Sequence, residues 1–150
     1  MSTDMENRVE ELLQRPCWVI DFLPCRVPAD GRGAYFAVEK YLRAGEGMAA
    51  FRSAMAKLLL KLYCYDGFQV LLDGGERCEK DPAPEKLNAL ISDPDQDVLI
   101  LLETERSMII LSRGDLCASV YDPSEKLLKL LRPLSNAAGL FLWQSEDSAD

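Results

Sequence analysis

The chain is 150 residues long, 48% hydrophobic and 28% charged, with a net charge of −8. That length suits one domain with a core large enough to fold without metal or disulfide, so a single domain over residues 1–150 is expected, frayed at 1–3 and 144–150. The acidic balance is the reverse of a nucleic-acid binder's, and the longest uncharged run, the 13 residues Pro133–Ser145, is too short to cross a bilayer.

Residues 4–14 place Met5, Val9, Leu12 and Leu13 at helical spacing, and Pro16 ends that helix. The mixed charges of this opening do not form a basic start followed by an apolar run, so a cytoplasmic setting is expected. Cys17–Phe22 reads as a strand, and Asp30-Gly31-Arg32-Gly33 as a turn. Two helices follow. One spans about 34–43, with Tyr35, Val38 and Leu42 on one face. The other spans about 48–63, where Met48, Phe51, Met55, Leu58, Leu59 and Leu62 form a stripe and Arg52, Lys57 and Lys61 are assigned to the other side.

Phe68–Leu72 is a strand closed by Asp73-Gly74-Gly75. Asp81-Pro82-Ala83-Pro84 opens a short helix carrying Leu87, Leu90 and Ile91. After the loop Asp93–Asp97, Val98–Leu102 is a strand. Ser107–Ser112 and Leu116–Tyr121 then form a hairpin about Arg113-Gly114-Asp115. Asp122 is placed as N-cap of a last helix, with Pro123 at its first position and Glu125 three residues after the cap. Leu127, Leu128, Leu130, Leu131 and Leu134 line its face, Pro133 is expected to kink it, and Gly139 ends it before the strand Leu140–Trp143.

This order predicts an α+β domain. Its sheet is expected to be mixed, of five or six strands, with an antiparallel meander near 98–121 and helices packed mainly on one face.

The residues that carry chemistry are sparse. No histidine is present, which removes Ser-His and Cys-His pairs and histidine metal ligands. The five cysteines, Cys17, Cys25, Cys64, Cys78 and Cys117, form no Cys-x-x-Cys motif and are expected to be reduced and mostly buried. Asp93-x-Asp95-x-Asp97 opens like a calcium loop, but Val98 and Thr104 stand where such a loop needs Gly and Glu. No metal or cofactor is expected. Asp21, near Cys17 and Cys25, is a carboxylate that a histidine-free site would need.

Two readings remain. The first is a non-catalytic protein-binding module of the inhibitor, regulatory or immunity type, with a basic protein as partner. Its docking residues would be Asp73, Glu76, Asp93, Asp95, Asp97, Glu103 and Glu105, within a segment, 73–105, that carries a net −7. The second is a small-ligand binder or histidine-free enzyme using carboxylates and aromatics in a cleft, where Trp18 and Trp143 would share a pocket wall. The balance leans away from an enzyme. Oligomeric state is left open by the sequence.

Overall fold

Residues 3–145 are described by the computed structural model. Its elements in chain order are α1 (Thr3–Leu12), β1 (Cys17–Asp21), α2 (Tyr35–Ala44), α3 (Gly47–Leu62), β2 (Phe68–Leu72), β3 (Arg77–Lys80), α4 (Pro84–Ser92), β4 (Val98–Leu102), β5 (Met108–Leu111), β6 (Cys117–Tyr121), α5 (Glu125–Ala137) and β7 (Phe141–Gln144). The fold is α+β, with seven strands in the order β3-β2-β4-β5-β6-β1-β7. Every pairing is antiparallel.

The expected mixed sheet of five or six strands is therefore corrected on two counts. The extra strand is β3, whose Arg-Cys-Glu-Lys sequence carries no apolar alternation because it lies at the sheet edge. The parallel element is displaced rather than absent. α4 joins β3 to β4 and α5 joins β6 to β7. Each pair of joined strands runs parallel, but an antiparallel strand, β2 or β1, is inserted between them. Of the ends expected to fray, Thr3 lies in α1 and Gln144 in β7, and residues 1–2 and 146–150 lie outside the described residues.

Two apolar layers explain the near-continuous hydrophobic runs of β2 and β4. Val98, Ile100 and Leu102 of β4 join the larger cluster, with Met55, Leu59 and Leu62 of α3, Leu87 and Ile91 of α4, and Leu127 and Leu131 of α5. The alternate residue Leu101 joins the smaller cluster with Leu71, Met108 and Leu12 of α1. The turn between α2 and α3 is tight. A Cβ on Gly47 would stand 2.3 Å from the Leu42 carbonyl oxygen, so only glycine fits there without moving backbone.

The start of α5 lies two residues beyond its expected place. Ser124 is the N-cap, its Oγ accepting the Leu127 amide at 3.0 Å. Asp122 has a left-handed φ of 55° and cannot cap; its amide is donated to the Pro16 carbonyl and its own carbonyl accepts from Ser107 Oγ. Ser124→Ala is expected to lower stability by about 1 kcal/mol. Asp122→Gly is expected to be neutral or mildly stabilising, since glycine relieves the positive φ. Urea melts of the two variants check this; the reverse ranking would return the cap to Asp122.

Candidate functional site

Antiparallel pairing divides the acidic segment. Leu71 pairs with Leu99, so the end of β2 lies beside the start of β4, and Asp73 and Asp97 line one cavity of about 340 Å³. Glu103 and Glu105 follow the other end of β4, roughly 17 Å away for a strand of five residues. The seven acidic residues therefore form two groups, Asp73, Glu76, Asp93, Asp95 and Asp97 at one end of the sheet and Glu103 and Glu105 at the other.

Several of these carboxylates have local work. Asp73 pairs with Arg77 at 3.0 Å, and Glu103 with Lys80 at 3.5 Å. Asp97 accepts the Arg113 amide at 2.7 Å, and Asp93 accepts the Asp95 amide at 2.9 Å. Glu105 is only 15% exposed and bonds Ser124 Oγ, which ties the β4–β5 loop to the start of α5. Asp66, which the sequence did not single out, organises the same loop. Burial raises its pKa, but the amides of Glu105, Thr104 and Gly67 outweigh this and hold the carboxyl below its ordinary range.

Trp18 and Trp143 lie in neighbouring strands, as a shared pocket requires, but one residue out of register. Trp18 is opposite Gln144 and Trp143 is opposite Val19, so the two indoles leave opposite faces of the sheet. Trp18 packs against the larger core, while Trp143 donates its indole N–H to the Leu23 carbonyl at 3.1 Å.

Arg52 is the residue most misplaced by sequence reasoning. It is fully buried, not on the outer side of α3. Its Nε donates to the Ile91 carbonyl at 2.7 Å and its Nη2 to the Gln96 carbonyl at 2.8 Å. Burial lowers its pKa, opposed by the charges of Asp93 and Asp97. The acidic loop is therefore the counter-charge of a buried guanidinium.

The surface that no local partner explains is α2 with the segment before it. None of the ten residues of α2 is buried. Phe36 is 80% exposed and Tyr41 78%, and Val38 is also exposed. Beside them lies an apolar cavity of about 490 Å³, lined by Phe22, Leu23, Val27, Pro28, Phe36 and Val38 among others. The sequence carried a signal for this. Tyr35, Phe36, Val38, Tyr41 and Leu42 spread apolar character around the helix, more than one core-facing stripe uses.

At the inner end of this surface, polar groups cluster. Tyr35 donates its hydroxyl to Glu39 Oε2 at 2.8 Å; burial and that bond push its pKa up to about 12. Asp21 ends β1 half-buried, and burial lifts its pKa despite the amides of Phe22 and Leu23. Cys117, opposite Asp21 in β6, has its thiol pushed up to about 12 by burial and by the charges of Asp21 and Asp115. A thiol so placed is protonated at neutral pH and offers no thiolate for attack.

None of the five cysteines is in a disulfide, and none is buried: Cys25, Cys64 and Cys78 are exposed, and Cys17 and Cys117 half-buried. The expectation of mostly buried thiols is corrected: Cys25 lies in a loop, Cys64 just past the end of α3 and Cys78 on the edge strand β3, while Cys17 and Cys117 are the first residues of β1 and β6. DTNB is expected to titrate the three exposed thiols rapidly and Cys117 only on unfolding. Rapid reaction of all five would show that the β6 thiol is open to solvent.

Among the described residues, no helix is long and apolar enough to cross a membrane, and no group of three Cys, Asp or Glu is placed to hold a metal ion. Comparison with protein-family models, curated proteins and solved structures finds no match to this chain.

Proposed function

We propose that this chain is a non-catalytic protein-binding module that docks a partner on α2 and the adjoining apolar cavity. The observation that carries the reading is a helix with no buried residue and two aromatic rings about four-fifths exposed. Apolar surface of that kind, continuous with a pocket, marks an interaction site. The net charge of −8 favours a basic protein over nucleic acid, and the acidic sheet ends steer its approach rather than form the contact. Thiols outside any disulfide are compatible with a cytoplasmic setting.

Capture from a native lysate with the wild type and with a Phe36→Ser/Tyr41→Ser double variant tests this. The reading expects a basic partner retained by the wild type and lost with the variant, while melting of the two proteins stays within about 0.5 kcal/mol, as exposed sites allow. A partner captured equally by both would remove α2 from the interface. The cavity's size also suits a small apolar ligand, whose signature is a raised melting temperature with that ligand present.

A further inference from the structure

We propose that the cavity between the end of α2, the start of α3 and the β5–β6 turn binds a small phosphomonoester that also carries a hydroxyl or amino group. None of its charged residues lines the apolar cavity assigned to docking, so the proposal stands independently of that reading.

Chain topology brings three cations together. Lys40 and Arg43 are neighbours on the last turns of α2, and Arg113 lies in the turn between β5 and β6. All three line a cavity of about 770 Å³, with Glu39, Asp95 and an apolar wall that includes Met48 and Pro94. Arg43 reaches across to the β5–β6 turn. Its Nη2 stands 3.2 Å from the place that a Cβ on Gly114 would take, so the glycine leaves room for the guanidinium.

What marks the cavity is donors without acceptors. The Arg43 guanidinium meets Glu39 at 3.6 Å, and that of Arg113 meets Asp97 at 3.7 Å. Both ion pairs are too long to be hydrogen bonds. Arg43 also acts through its charge on Asp115. These carboxylates offset the mutual repulsion of the two guanidiniums and leave their N–H groups unengaged. Among the described residues neither guanidinium donates a hydrogen bond, and Lys40 has no ion pair.

The donors name the ligand. Two guanidinium forks and an ammonium present more N–H groups than the two oxygens of a carboxylate accept, whereas a phosphomonoester offers three terminal oxygens. Asp95 has the opposite need. Its carboxylate lines the same cavity and has no ion pair among the described residues. It repels a bare anion and accepts from a hydroxyl or ammonium on the ligand. The volume lies within the range of small-molecule sites and exceeds what a phosphate fills, and the apolar wall covers the ligand's carbon chain.

Titration of the isotope-labelled full chain with O-phosphoethanolamine, followed through its amide chemical shifts, tests the proposal. Saturable shifts should centre on residues 39–49, 94–95 and 113–114, with a dissociation constant on the order of 1 mM or tighter. Arg43→Gln and Arg113→Gln should each weaken binding about tenfold, as the loss of a charge-assisted hydrogen bond implies. Lys61→Gln removes the same charge near the far end of α3 and should bind like the wild type. Asp95→Asn should weaken O-phosphoethanolamine yet strengthen inorganic phosphate, a reversal that a change in net charge alone does not produce. Each of these side chains is exposed, so the variants should fold. Phe36→Ser/Tyr41→Ser should bind normally, which separates this site from docking on α2. A wild type without saturable shifts, shifts centred elsewhere, or Arg43→Gln and Arg113→Gln variants that bind like the wild type would overturn the proposal. Tighter binding of succinate than of O-phosphoethanolamine would overturn the choice of a phosphate.

Discussion

Leu131→Asp is expected to leave the chain largely unfolded in native buffer. Leu131 is fully buried in the larger cluster, facing the sheet from the middle of α5. Its replacement forfeits about 2–3 kcal/mol of apolar burial and sets a carboxylate in the apolar cluster that also holds Leu127, Ile20 and Leu142. The combined loss is comparable to the whole stability of a domain this size, about 5–15 kcal/mol. Leu130, one residue earlier, is only half-buried. An aspartate there reaches water, so Leu130→Asp should cost about 1–2 kcal/mol and keep a cooperative urea transition. Circular dichroism and urea midpoints separate the two; matching midpoints would mean that α5 does not present the face assigned to it.

How far the fold could be read from sequence depended on what each signal measures. Helical periodicity found α3 and α5 because their stripes touch a core, and period-two and apolar runs found β2, β4, β5 and β6. β3 escaped because its identity as a strand comes from hydrogen bonds to β2, not from its own Arg-Cys-Glu-Lys side chains. The cap shifted from Asp122 to Ser124 because both are good caps and only the left-handed φ of Asp122 decides between them.

The candidate site was less legible. Clustered acidic letters suggested one face, but strand pairing sent Glu103 and Glu105 to the opposite end of the sheet from Asp97. Trp18 and Trp143 were predicted in the right strands, and their separation to opposite faces rests on a single residue of register. Phe36 and Tyr41 lay in a correctly assigned helix, yet exposure depends on what packs against a helix, which sequence does not state.

Arg52 yields the second large expected effect, and spacing alone explains its burial. Position 52 lies four residues after Met48 and three before Met55, on the very face that meets the core. The long side chain crosses the apolar layer and ends on polar backbone. The Ile91 carbonyl belongs to the last turn of α4, where helix carbonyls lack intrahelical donors, so Arg52 serves as a C-terminal cap from another helix. Its second bond, to Gln96, fixes the loop that leads into β4. Arg52→Ala would leave a cavity, strip both carbonyls of their donor and remove a positive charge that Asp93 and Asp97 feel. A loss of about 3–5 kcal/mol is expected. Arg52→Met restores most of the volume but neither hydrogen bond, and should lose about 2–3 kcal/mol. Asp97→Asn should cost less in the Arg52→Met background than in the wild type, because its carboxylate has lost the buried one of its two cations and keeps only Arg113, at 3.7 Å. Urea melts of the four proteins in this cycle give the coupling directly. Hydrogen exchange should show residues 93–97 opening first in both Arg52 variants. An Arg52→Met protein as stable as wild type, with that loop still protected, would show that packing alone holds α4 against α3 and that the guanidinium is dispensable.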